Sequence, residues 1–169
     1  MIANQLNTTN NTIGSLFPNG PISANVLKYN GGWSVYQFDP DDLTWYPDSL
    51  ATLNPGEAAM FKSPTASTLT FVGEVLQGAL SGPVLIAGSS VARSSMVPQA
   101  GLVQTDLGYP AEPGDTILKW TGSWSSAQFD PDDLTFYPSQ PTFAVGEGMM
   151  IKKSVSATVT SWTRNFTVQ

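Results

Sequence analysis

The chain contains no cysteine and no histidine. The first absence removes disulfides, thiol nucleophiles and thiolate zinc sites. The second removes imidazole as a general acid, a general base or a metal ligand. Positive charge is scarce as well: seven Lys and Arg stand against thirteen Asp and Glu, for a formal net charge of −6. Scattered cations in that number do not make the basic footprint that phosphate neutralisation needs, so nucleic acid is not an expected partner. An anionic membrane surface is disfavoured on the same ground. No apolar run approaches the length of a membrane span. There is no Gly-x-Ser-x-Gly elbow and no glycine-rich phosphate loop. Charged residues of all kinds make up only 12% of the chain, about half the usual share.

What is present is 41% hydrophobic residues, 11% aromatics, 15 Gly and 13 Pro in 169 residues. That is enough apolar material for a folded core, and the turn residues point to many short strands rather than long helices. The chain also repeats itself. Gln37-Phe38-Asp39-Pro40-Asp41-Asp42-Leu43-Thr44 recurs letter for letter as Gln128-Phe129-Asp130-Pro131-Asp132-Asp133-Leu134-Thr135. Around it Leu27-Lys28-Tyr29 answers Leu118-Lys119-Trp120, Trp33 answers Trp124, and Tyr46-Pro47 answers Tyr137-Pro138. Further on, Gly56-Glu57 answers Gly146-Glu147, and Met60 with Lys62 answers Met150 with Lys152.

Each copy carries its parts in one order. A short apolar opening (residues 1–6, answered by 91–97) leads to a short helical turn (11–17, answered by 104–108). A hairpin follows, with Asn30-Gly31-Gly32 or Thr121-Gly122-Ser123 between alternating strands, because the turn demands positive φ. Pro40 and Pro131 end those strands, since proline cannot donate to the ladder. Strands are expected again at 58–62 and 148–153, and at 69–75 and 158–162. Gly78 to Gly82 reads as a short bridge between copies, and residues 84–88 as a strand with no counterpart before Met1.

The expected fold is all-β: a pseudo-twofold duplicated β-sandwich or partly closed barrel with short helical turns. Residues 1–80 form the first repeat and 83–169 the second, in one compact unit with a shared core. Phe38, Leu43, Phe61, Phe71, Phe129, Leu134, Ile151 and Phe166 are the expected core.

The order Ile2-Ala3-Asn4-Gln5-Leu6, aromatic hairpin, Pro55-Gly56-Glu57 and Thr70-Phe71-Val72-Gly73-Glu74-Val75 carries a resemblance, together with Val97-Pro98-Gln99-Ala100-Gly101 and Trp162-Thr163-Arg164-Asn165-Phe166. It resembles an uncharacterised duplicated β-rich region of large secreted proteins from environmental bacteria. The resemblance spans nearly the whole chain and implies export and β architecture, with no chemistry attached. The Gly-Trp-Asn-Leu-like strand that usually opens the first copy in that family is missing here. Met1-Ile2-Ala3-Asn4 has neither the basic flank nor the apolar core of a secretory signal. With a Ser- and Thr-rich, Lys-poor chain, an extracellular or cell-surface product without its signal is expected.

Four sets of residues are candidates for function. Asp39, Asp41 and Asp42, with Asp130, Asp132 and Asp133, offer clustered carboxylates to Ca²⁺, or simply cap turns. No other cofactor is expected. Trp45-Tyr46 and Phe136-Tyr137 could stack on sugar rings, or cover open ends of the sandwich. Glu57 and Glu147, with the Asp clusters, could serve a small glycoside hydrolase. Lys28 with Glu57, and Lys119 with Glu147, read as ion pairs or as parts of an acid-assisted Lys–Asn isopeptide bond. Taken together, these point to a non-catalytic structural or interaction module whose partner is itself (homo-oligomer or fibre) or a surface glycan. A carbohydrate-binding module and an Asp/Glu-dependent hydrolase are the alternatives.

Overall fold

A computed structural model describes residues 1–168, and it is all-β. Among the described residues the only helix is α1, Ile13–Leu16, with Thr12 as its N-cap: Thr12 and Ser15 each bond the other's backbone N–H. The first copy supplies β1 (Ile2–Ala3), β2 (Asn25–Tyr29), β3 (Trp33–Asp39), β4 (Thr44–Tyr46) and β5 (Ala58–Lys62). Between the copies lies β6 (Gly78–Val84). The second copy supplies β7 (Ser90–Arg93), β8 (Gly101–Leu102), β9 (Thr116–Trp120), β10 (Trp124–Phe129), β11 (Phe136–Tyr137), β12 (Thr142–Phe143), β13 (Met149–Lys152) and β14 (Ser161–Phe166).

Two five-stranded antiparallel sheets form the body, in the orders β1-β5-β2-β3-β4 and β7-β13-β9-β10-β11. Strand for strand the two orders correspond. The hairpins close where the turn glycines adopt φ +73° (Gly31) and +95° (Gly122), which a side chain would resist. Among the described residues no sheet closes into a barrel. The outer strands β4 and β11 run for three and two residues and stop at Pro47 and Pro138, too short to reach another edge.

The inner edges are covered differently. Each sheet exposes its first strand to the other half, and the backbone crosses over twice in matching fashion. Ala3 N donates to Gly146 O at 2.8 Å, and Ser94 N donates to Gly56 O at 2.9 Å. Bridges join Ile2 to Glu147 and Arg93 to Glu57. The edges that sequence alone leaves open are therefore capped reciprocally.

Among the described residues the buried apolar side chains fall into three clusters. Val26, Phe38, Trp45 and Leu53 anchor one buried cluster with α1; Ile117, Phe129, Phe136, Phe143 and Trp162 anchor another. A small third cluster of Ala3, Ala58, Ala92 and Met150 lies between them. Small side chains let the two backbones approach at the junction, and each sheet covers its inner face with its own loops. At the centre the equivalent positions hold Ala58 and Gly148: a Cβ on Gly148 would lie 2.5 Å from the Ala58 Cβ and 2.8 Å from Ile2 O. There is room for only one methyl.

Several expectations are corrected. Leu43 and Leu134 are 67% and 58% exposed rather than core, because each holds a left-handed turn position (φ 52° and 55°) that aims it outward. Phe61, Phe71 and Phe166 are half-buried. Residues 78–82 are not a linker: β6 pairs with β14 as a separate ribbon. Residues 69–75 form no strand beyond a bridge from Glu74 to Asn7. The second helical turn is a loop, where the Asp106 carboxylate takes the Leu102 N–H at 2.7 Å and Gly108 has φ +67°. Among the described residues no helix is long and apolar enough to cross a membrane.

Candidate functional site

The Asp-Pro-Asp-Asp loops spend their leading carboxylates on their own turns. Asp39 Oδ1 accepts from Asp41 N at 2.8 Å and Asp42 N at 3.4 Å; Asp130 Oδ1 accepts from Asp132 N at 2.8 Å. Asp133 Oδ1 accepts from the Thr135 hydroxyl at 2.8 Å. These are Asx turns, in which the carboxylate satisfies backbone donors that would otherwise need water. Among the described residues no three His, Cys, Asp or Glu side chains come together as a metal site.

The two aromatic pairs split inside to outside, as adjacent strand residues must. Trp45 and Phe136 are buried, so neither is available to a sugar. The Trp45 indole N–H donates to Phe17 O at 2.8 Å, and its ring meets Phe38 edge-on at 5.4 Å. Phe136 meets Phe129 the same way at 5.1 Å. Tyr46 and Tyr137 point out, 71% and 75% exposed. The hairpins carry a second set of exposed rings, matched in sequence between the copies but not among the candidate residues. Tyr29–Trp33 and Trp120–Trp124 are T-shaped pairs at 5.1 and 5.2 Å, and Trp33 and Trp124 are exposed.

Glu57 and Glu147 hold turns. Glu57 Oε2 accepts from Asn54 N at 2.7 Å and pairs with Lys28 at 3.4 Å. Glu147 Oε2 accepts from Ala144 N at 3.0 Å and pairs with Lys119 at 3.0 Å. The lysines also reach the Thr52 and Thr142 carbonyls.

The densest polar chemistry is elsewhere, and it occurs in the second half alone. Lys153, just past β13, and Asp115, just before β9, have side chains with 0% exposure, and Lys153 Nζ lies 2.6 Å from Asp115 Oδ2. Glu112 Oε2 is 3.0 Å from the same Nζ. The Tyr109 hydroxyl donates to Asp115 Oδ2 at 2.9 Å, Glu112 N to the same oxygen at 3.0 Å, and Ser154 N to Asp115 Oδ1 at 2.9 Å. Glu112 receives Thr158 N and Oγ1 at 2.8 Å and Val159 N at 3.0 Å. Burial alone would raise the Glu112 pKa; the donors from Thr158, Lys153 and Val159 outweigh it and hold it at about 2. Burial, and then the Asp115 charge, push the Tyr109 phenol up, so it remains a donor.

Nothing in single-residue reasoning marks this cluster. Comparison of the two copies would have: Phe17, Pro21, Ala24 and Ser63 occupy the places of Tyr109, Glu112, Asp115 and Lys153. The matching Asn25↔Lys62 and Thr116↔Lys152 pairs align Ser63 with Lys153, the like Phe17–Phe71 and Tyr109–Trp162 ring pairs align Phe17 with Tyr109, and backbone bonds align the rest. Ala24 N donates to Pro21 O at 2.9 Å and Asp115 N to Glu112 O at 2.9 Å; Phe38 N donates to Ala24 O at 2.9 Å and Phe129 N to Asp115 O at 2.8 Å.

The class these observations define is an all-β protein of two like open sheets with reciprocally capped inner edges. No known protein family, curated protein or solved structure matches the chain.

Proposed function

We propose that the chain is a non-catalytic extracellular or cell-surface structural module that associates with copies of itself through its two outer edges. The observation that supports this is the contrast between edges. Strands β1 and β7 are capped by the opposite half, whereas β4 and β11 end their sheets and each presents an exposed tyrosine, Tyr46 and Tyr137. An unpaired edge offers backbone donors and acceptors to another chain. Each edge here is short and would bind weakly alone. Two equivalent edges on one chain let weak contacts act together and let copies link in series.

The test is light scattering across a concentration series, alongside electron microscopy. Oligomers or fibres should grow with concentration, and Tyr46→Lys combined with Tyr137→Lys should abolish them. A strict monomer at high concentration ends the self-association reading.

A second reading has its own support. Trp33, Trp124, Tyr46 and Tyr137 are exposed rings on both halves, suited to stacking on sugar faces. A glycan panel that quenches tryptophan fluorescence, with the response lost in Trp33→Ala and Trp124→Ala, would favour a carbohydrate-binding module over self-assembly.

A further inference from the structure

The geometry points to an intramolecular isopeptide bond between Lys153 Nζ and Asp115 Cγ, formed by condensation, with Glu112 holding the lysine nitrogen in place. The reacting groups already touch: both side chains are wholly buried, and Nζ lies 2.6 Å from the oxygen that would leave. Held contact of this kind turns a bimolecular condensation into a unimolecular one. Full burial of both side chains keeps bulk solvent from the reacting atoms, which favours condensation and slows hydrolysis of its product.

Each polar neighbour has a place in the step. The Lys153 ammonium passes a proton directly to Asp115 Oδ2 across their 2.6 Å contact, while Glu112 Oε2, 3.0 Å from the same nitrogen, holds it in place. The freed amine attacks Cγ. Negative charge builds on Oδ1, which receives the Ser154 N–H at 2.9 Å, the arrangement that stabilises a tetrahedral intermediate. Oδ2 departs while the Tyr109 hydroxyl, at 2.9 Å, and Glu112 N, at 3.0 Å, donate to it. The Nζ–Cγ bond forms and the Cγ–Oδ2 bond breaks. Two of the three ammonium protons leave with Oδ2 as one water, and nothing is oxidised or reduced. The product is a neutral amide where two desolvated charges stood, which relieves the penalty of burying an ion pair.

The first half argues that the cluster is not there to build the fold. It forms the same turn and strand register around Ala24 and Ser63, without an ion pair at that place. Its Phe17–Phe71 pair reproduces Tyr109–Trp162: both are T-shaped, with centroids 5.3 Å apart and planes at 77°. Against that unchanged frame, the second half adds a nucleophile, a carboxyl carbon, a carboxylate that positions the nucleophile and an oxyanion donor. The bond would tie β9 to β13 beside their Thr116↔Lys152 pair. It depends on neither self-association nor sugar binding.

Denaturing intact-mass measurement of the full chain tests it. Wild type should be lighter than its sequence mass by one water. Trypsin should yield a branched peptide joining residues 94–119 to 153–164, uncut after Lys153. Lys153→Arg should show full mass, because a guanidinium does not condense. Asp115→Asn should lose one ammonia instead of one water. Wild type at full sequence mass overturns the proposal, and so does a water loss that maps to any other peptide. Glu112→Gln should slow the mass loss during refolding; unchanged kinetics would remove Glu112 from the step.

Discussion

The two halves share a strand order and a hairpin register, and they share the geometry of three aromatic pairs, yet one fills its corner with apolar groups and the other with ions. Phe17, Ala24 and Ser63 become Tyr109, Asp115 and Lys153 without displacing the backbone bonds around them. The lesson is that this frame tolerates either chemistry. Ser63 Oγ is buried without a hydrogen-bond partner, so the first half gains little polar stability at that corner. The second half satisfies every oxygen of Asp115 and Glu112. A buried ion pair is often replaceable by apolar residues at little cost, while removal of one partner is severe.

That asymmetry sets the largest expected effect. Lys153→Ala should destabilise by about 3–5 kcal/mol, because Asp115 is left charged and unpaired in the interior. Imposing the first half's residues together (Tyr109→Phe, Glu112→Pro, Asp115→Ala, Lys153→Ser) should restore most of the loss. Denaturant melts of the two variants decide the matter; if the combined variant is as unstable as Lys153→Ala, the halves are not interchangeable frames.

The aromatic steps should show the inside–outside split. Trp45→Ala should cost about 3–5 kcal/mol for a buried ring, whereas Tyr46→Ala should stay within about 0.5 kcal/mol. Comparable losses for both would show that the exposed tyrosine supports the fold.

The junction sharpens the comparison at the pseudo-twofold centre. Gly148→Ala should destabilise by about 1–3 kcal/mol, because the added methyl meets Ile2 O and the Ala58 methyl. Pairing it with Ala58→Gly should recover part of that in thermal melts, since only the backbone contact then persists.

Acid should act on the cluster around Glu112. The folded-state pKa of Glu112 is lowered from 4.5 to about 2. Its stabilising contribution is therefore complete above the unfolded value and is lost as pH falls towards about 2. The difference in melting temperature between wild type and Glu112→Gln should shrink across that window; a difference that widens would contradict the sign.

The smallest effects belong to the surface. Lys28→Met and Lys119→Met should each change stability by roughly 0–1 kcal/mol, as partly exposed ion pairs do. A chelator should leave the melting temperature unmoved, because the leading Asp39 and Asp130 carboxylates already serve backbone N–H groups.

Much of this was written locally. Period-two alternation and Gly-containing turns determine the hairpins at 25–39 and 116–129, because strand pairing across a tight turn needs only neighbouring residues. Duplication of the sequence determines that whatever one half builds, the other approximates. Local pattern did not determine which side of a turn Leu43 and Leu134 would take, since that follows from a positive φ set by the loop's closure. Nor did it reveal the pairing of β6 with β14, which joins segments far apart in the chain. The meeting of Lys153 with Tyr109, Glu112 and Asp115 was decided by tertiary structure. Tyr109, Glu112 and Asp115 share the loop before β9 and Lys153 follows β13, and only when β9 and β13 pair do the lysine and the carboxylates share one buried pocket, where low dielectric gives their contact its strength.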